Sequence, residues 1–375
     1  MNAAANVIEN VNATARNTTT RPTAAVLAHG AYLTTDGKTA HGLVRGTTRF
    51  EVLGVVDPAC SGRDAGEVLD NEPRGIPIFP TLAAFIAAKG RCPDCCVIGA
   101  APNGGRLPET LRADVIEAAR RGIHLVSGLH IPLADDPEIA EAARSTGATI
   151  EDVRRPRMPL RFWNGDVLKL ASPRIPVLGT DMAVGKRTTC GRLTSALRET
   201  GVNAQMIWTG QTGWLQGYRH GFFFDATPND FVTGALERAI LECHAETAAQ
   251  AFLIEGQSSL RNPAGPCGAE MIAPMGAKGA VLVHAPARTY YDTLDSLGLR
   301  IPPIEEEVEL IRLYGADVLA VVLNTQGLEP EAAVRERDRL TQRLGRLVTF
   351  GDRPGIAQVA TTLRSHFSLL STYPY

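Results

Sequence analysis

No stretch of the chain stays apolar for the roughly 20 residues that a bilayer-spanning helix requires, so no membrane-embedded segment is expected. An excess of either charge is also missing: 38 Lys and Arg stand against 40 Asp and Glu, a formal net charge of -2. That balance gives no global pull toward nucleic acid or an anionic membrane. Basic and aromatic residues are not interleaved as in single-strand binders. Neither nucleic acid nor membrane is therefore an expected partner. HExxH runs and clustered metal ligands are absent, and no Ser-His-Asp triad can be defended from order or motif. The first twenty or so residues, rich in Asn, Ala and Thr, lack the apolar core of a secretory signal. They read as a disordered tail over residues 1–22, with the sequons at Asn12 and Asn17 unglycosylated. The location implied is cytoplasmic.

Cysteine is scarce and odd in number, seven in 375 residues, which suits a reducing compartment. The spacing Cys92-Pro-Asp-Cys95-Cys96 would allow a redox pair or half a zinc site. No second Cys or His pair stands at fitting spacing, and Cys95-Cys96-Val-Ile-Gly runs into an apolar strand pattern. Small buried thiols are expected there.

What is present describes a soluble globular protein of two domains: 44% hydrophobic and 21% charged residues. In the N-terminal half, apolar runs at 24–28, 51–56, 96–101 and 124–127 alternate with helical patterns at 81–88, 109–120 and 138–145. Such alternation predicts a doubly wound parallel α/β sheet. Asp57 ends the second run, where a ribose-binding acid would stand, but the G-x-G-x-x-G fingerprint is missing after the first. A Rossmann-like fold without a dinucleotide, or with another ligand, is expected over 23–155. Prolines and arginines at 154–159 break the pattern, and 156–174 reads as a linker. A second α/β domain is expected over 175–375, with strands at 175–178, 204–209, 251–254, 280–284, 318–323 and 346–350.

The second domain opens on the most informative stretch, Gly179-Thr-Asp-Met-Ala-Val-Gly185-Lys186-Arg187-Thr188-Thr189. An apolar run precedes it and a helical pattern at 190–199 follows. Strand, glycine-bounded loop ending in Gly-Lys, then helix is the layout of a phosphate-binding P-loop. Glycines let successive N–H groups turn inward onto phosphate oxygens, and the helix N-terminus adds partial positive charge. Gly179, Thr180, Asp181, Gly185, Lys186, Arg187, Thr188 and Thr189 are the expected cofactor-binding residues. Two departures matter: five residues separate the glycines, and Arg187 stands where Ser or Thr normally follows the lysine. The magnesium ligand would then be Thr188, Thr189 or neither. The start Gly-Thr-Asp resembles dethiobiotin synthetase and cobyric acid synthase.

Other strand ends supply further candidates. Glu255 follows an apolar run, where P-loop enzymes place a carboxylate for magnesium. Asn324 follows another, where an amide that both donates and accepts could read a nucleotide base. Thr209-Gly-Gln-Thr-Gly offers Gln211 and Thr212 to a small polar substrate. His284 and Arg288 could recognise an anion. In the first domain, Asn103, Gly104 and Arg106 offer backbone N–H groups and a guanidinium for a carboxylate. His130, in Ser127-Gly-Leu-His, could act as a general acid or base.

Taken together, Asp57-Pro, Ile98-Gly-Ala-Ala-Pro-Asn-Gly-Gly, Ser127-Gly-Leu-His, the Gly179–Lys186 loop, Thr209-Gly-Gln-Thr-Gly, Ile254-Glu-Gly-Gln and Leu323-Asn-Thr-Gln resemble one bacterial family. That family, long a domain of unknown function, joins a Rossmann-like half to a P-loop half and includes the DgcN D-glutamate N-acetyltransferases. The resemblance spans residues 24–355. It implies acetyl-CoA as co-substrate, its phosphates held by the same loop, with Arg106, His130 and Arg288 as candidates for substrate carboxylates and proton transfer. The likeness to P-loop enzymes also implies a homo-oligomer.

Read on their own chemistry, the residues favour an ATP-dependent kinase or amide ligase that activates a small carboxylate or amino-acid-like substrate. Lys186 and Thr188 would hold phosphates and magnesium, Glu255 the metal, and Asn324 the base, with positioning and charge neutralisation doing most of the catalysis. The alternative is N-acetylation of an acidic D-amino acid such as D-glutamate. A third reading is a non-enzymatic, nucleotide-gated regulator.

Overall fold

The computed structural model describes residues 21–102, 104–155 and 159–370. Residues 1–20 of the expected tail lie outside them. Two units are formed: one runs to Arg155 and takes in Leu215–Gly217, and the other holds the remainder.

The first unit contains β1 (Thr23–Leu27), β2 (Glu51–Val56), β3 (Ile78–Phe79), β4 (Cys95–Ile98), β5 (His124–Ser127) and β6 (Ile150–Asp152). They form one parallel sheet in the order β3-β2-β1-β4-β5-β6, the Rossmann-like arrangement. Every residue of β1 and β4 is buried, as expected of parallel strands covered on both faces. Helices between the strands start at side-chain caps: Thr81 accepts from Ala84 N, and Asp136 from Glu138 N and Ile139 N, with Pro137 at the first helical position. Cys95 and Cys96 lie inside β4, and burial pushes their thiols up, Cys95 to about 12. Neither has the low-pKa setting of a redox or zinc thiolate. Asp57 is fully buried, and its carboxylate accepts from the N–H groups of Gly30 (2.7 Å), Tyr32 (3.0 Å) and Ala59 (2.9 Å). It braces the loop after β1, where a dinucleotide site would need it open.

The second unit contains β7 (Arg174–Gly179), β8 (Ala204–Ile207), β9 (Ala251–Glu255), β10 (Gly279–His284), β11 (Asp317–Leu323) and β12 (Leu347–Phe350). These also pair in parallel, in the order β12-β11-β10-β7-β9-β8. The sheet divides the core in two. Leu178 and Ile254 face the helix Val232–Thr247 through Leu236 and Ile240, while Val177 and Leu253 face the helices Lys186–Glu199 and Arg353–Phe367 through Leu193 and Leu363. Alternate residues of each central strand thus serve opposite layers.

The stretch expected as a linker is bound to this second unit from residue 159 onward. Buried Glu237 accepts from Asn164 N (2.9 Å) and Val167 N (3.2 Å), Val167 is fully buried in the core, and Trp163 Nε1 donates to Pro274 O (3.1 Å). Residues 156–158 lie outside the described residues.

Candidate functional site

The loop 180–185 joins the central strand β7 to the helix Lys186–Glu199. Gly185 caps that helix with φ 109°, a conformation L side chains rarely adopt. Gly179 is needed for room: a Cβ there would come within 2.8 Å of Val184 Cγ2 and 2.9 Å of Lys186 Cδ. Lys186 is 6% exposed, and its ammonium donates to the carbonyls of Asp181 and Ser258, each at 2.6 Å. First-turn N–H groups of a helix point out of its N-terminal end, so this lysine and the helix dipole favour an anion in the same place.

Asp181 does not face that place. Its carboxylate is fully buried and receives four donors: Met182 N (2.7 Å) and Asn262 Nδ2 (2.9 Å) on Oδ1, Arg288 Nη1 (2.7 Å) and Asp292 N (2.8 Å) on Oδ2. Arg288 also donates to Met182 O (2.7 Å). Segments following β7, β9 and β10 are thus tied to one carboxylate. The two residues expected at cofactor and substrate pair with each other and set the shape of the loop.

Glu255 ends β9, the strand beside β7, and is paired in register with Val177. Its Oε2 accepts from Thr209 N at 3.0 Å, and its own carbonyl accepts from Thr209 Oγ1 at 2.8 Å. Gln257 Nε2 donates to the same hydroxyl at 2.8 Å. Burial pushes the Glu255 carboxyl up, opposed by the charges of Arg187 and Lys186 and by hydrogen bonds from Thr209 and Gly210. Gln211 and Thr212 open the short helix Gln211–Leu215 beside it and are both buried. The structure therefore gathers Lys186, Arg187, Glu255 and the 209–212 loop.

Asn324 is used by the fold. Its Nδ2 donates to Val184 O (3.1 Å) and its Oδ1 accepts from Gln326 N (3.0 Å), which ties the end of β11 to the loop. His284 Nδ1 meets Thr180 Oγ1 at 3.0 Å, and burial lowers its pKa to about 4. At neutral pH it offers hydrogen bonds but no positive charge to an anion. In the first unit, the loops holding Gly104, Arg106 and His130 do meet: Ile131 N donates to Gly105 O at 3.0 Å, and a Cβ on Gly105 would lie 2.3 Å from His130 Cδ2. Arg106 is exposed, and burial lowers the His130 pKa, helped by Arg154 and Lys38. Asn103 lies outside the described residues.

Sequence reasoning misses Ser258 and Asn262 as parts of this site. Ser258 adopts φ 33° and offers its carbonyl to Lys186, and Asn262 is fully buried against Asp181. The apolar run ending at Glu255 marks where their segment begins, but nothing local announces their partners.

A central parallel strand, a glycine-hinged loop entering a helix and a carboxylate at the end of the adjoining strand define a P-loop protein. More closely, the chain belongs to the DUF1611 family. The family model described as "Domain of unknown function (DUF1611_C) P-loop domain" matches residues 161–359, and "Domain of unknown function (DUF1611_N) Rossmann-like domain" matches 58–156. A protein of Tritonibacter scottomollicae named D-glutamate N-acetyltransferase is 31% identical over 257 residues, 66% of this chain and 74% of that protein. One of the same name from a Pseudoalteromonas species is 30% identical over 275 residues, 71% and 80% of the two chains. The crystal structure of a DUF1611 family protein from Anabaena variabilis ATCC 29413 matches with a TM-score of 0.82 and 29% identity, over 92% of this chain and all of that one.

These relatives overturn the expectation of an ATP-dependent kinase or ligase, since both carry the name of an acetyl-transferring enzyme. The physical reason for the error is plain. A P-loop sequence reports that phosphates are held, and says nothing of which bond is broken. Among the described residues no group of three or more His, Cys, Asp and Glu side chains is placed to hold a metal, which leaves a magnesium site built from Thr188, Glu255 and ligand phosphates untested.

Proposed function

We propose that this chain is an enzyme that transfers the acetyl group of acetyl-CoA to the amino nitrogen of an acidic D-amino acid, D-glutamate above all. The observation that carries the reading is the juxtaposition of an anion cradle with a buried base: Lys186 at a helix N-terminus, and Glu255 at the end of the adjoining strand. The naming of two relatives supports the choice of acyl group and acceptor. Phosphates of CoA fit the cradle. A Cβ on Gly185 would meet nothing within 4 Å, so the loop is open at that point.

Glu255 supplies the proton chemistry. An amino acid arrives as an ammonium ion and must lose a proton before its nitrogen can attack. A carboxylate raised by burial is a stronger base than a surface one. The free amine forms a C–N bond to the thioester carbonyl, the C–S bond breaks, and the CoA thiolate takes the second proton from nitrogen. One proton is released per turnover.

Titration calorimetry with CoA tests the cradle. Wild type binds, and Lys186→Ala weakens binding by about tenfold or more, the loss of one charge-assisted contact. Equal affinity in the two proteins would remove the loop from the CoA site.

A further inference from the structure

The residue after the P-loop lysine normally carries a hydroxyl that binds magnesium, and the carboxylate on the adjoining strand completes that ion's surroundings. This chain keeps the carboxylate, Glu255, and replaces the hydroxyl with Arg187. Arg187 lies in the first turn of the helix Lys186–Glu199, one turn before Gly191. The face they share turns toward Tyr218, whose hydroxyl lies 2.4 Å from where a Cβ on Gly191 would stand. Arg187 Nε is closed off from solvent. Tyr218 N donates to Gly213 O (3.2 Å), and a Cβ on Gly213 would stand 3.2 Å from Glu255 Oε2, so Glu255 borders the same face, where the Arg187 charge opposes the effect of burial on its carboxyl.

We propose that Arg187 is a built-in replacement for the magnesium ion: its guanidinium balances Glu255 on one side and a ligand phosphate on the other, so that anion binding needs no divalent cation. A buried carboxylate requires a counter-charge, and a guanidinium is a permanent one, with several N–H donors in a fork that matches phosphate oxygens. It carries one positive charge against the metal's two, which suits holding a phosphate that is not cleaved. The inference rests on the reading of the loop as the seat of CoA phosphates.

The test is titration calorimetry of the full chain with CoA and, separately, inorganic pyrophosphate, in EDTA and in millimolar magnesium chloride. Wild type, Arg187→Ala and Arg187→Lys are compared, with thermal unfolding as the check on folding. Wild-type affinity is expected to be the same in EDTA and magnesium. Arg187→Ala is expected to weaken binding in EDTA by roughly tenfold or more, with Arg187→Lys between the two. Wild-type binding that collapses in EDTA would overturn the proposal, as would Arg187→Ala binding as tightly as wild type. Should Arg187→Ala not fold, the wild-type EDTA comparison and Arg187→Lys decide. Pyrophosphate bound without magnesium while CoA is refused would sink the acetyl-CoA reading and leave the role of Arg187 standing. Binding of neither ligand would end both.

Discussion

At Glu255 the stability of the fold and the proposed chemistry meet in one side chain. It ends a strand buried throughout, and burial is the largest influence on its carboxyl, raising the pKa above the ordinary 4.5. A folded-state pKa above the unfolded one means that the protonated form is favoured by folding. The associated stability is fully present below the unfolded pKa and is lost as pH rises through the folded one. At neutral pH the charged carboxylate is therefore a burden on the fold. Glu255→Gln keeps an oxygen for Thr209 N and removes the charge. It also turns an amide N–H₂ toward the Thr209 or Gly210 N–H and leaves Arg187 without its counter-charge, so the thermal midpoint falls; because the wild type alone loses stability as pH rises, the deficit is expected to be smaller at pH 7 than at pH 4, while turnover falls about a hundredfold or more through loss of the base. Thermal melts across pH, paired with steady-state rates, check both signs. A deficit that grows from pH 4 to pH 7, or a variant that stays active, would contradict them.

At the level of the element, the loop 180–185 is held from behind by Asp181, three of whose four donors, Asn262, Arg288 and Asp292, come from far along the chain. Neutralising one partner of a buried ion pair costs about 3 kcal/mol. Asp181→Asn should lose about that much in urea unfolding, because an amide N–H₂ would then confront Arg288 or Asn262. An unchanged midpoint would show that the pair does not hold the loop. The loop itself is legible in the sequence because its glycines, lysine and helix follow one another without a gap. The partners at 262, 288 and 292 are not, since only the packing of three strand ends brings them together. Strands follow the same division. Runs read at 251–254 and 318–323 are β9 and β11 almost to the residue, because parallel strands buried on both faces are continuous apolar runs. The two-residue β3 and three-residue β6 are too short to show such a run. The helix Val232–Thr247 is blurred by Gly234, where a Cβ would lie 2.0 Å from Arg161 O, and by Glu237, buried in mid-helix to hold residues 164–167.

For the whole molecule, alternation of strands and helices is enough to foresee two parallel α/β units, and the family models match both. The chemistry is less legible, because an anion cradle serves ATP and CoA alike. Kinship corrects that choice, through two relatives named D-glutamate N-acetyltransferase. The central claim is met most directly by incubating the purified chain with acetyl-CoA and D-glutamate, and following CoA thiol release and the mass of the product. The account predicts N-acetyl-D-glutamate and stoichiometric thiol, both lost in Lys186→Ala, with L-glutamate a poorer acceptor. No thiol release above background with D-glutamate or D-aspartate, from protein that still binds CoA, would contradict it.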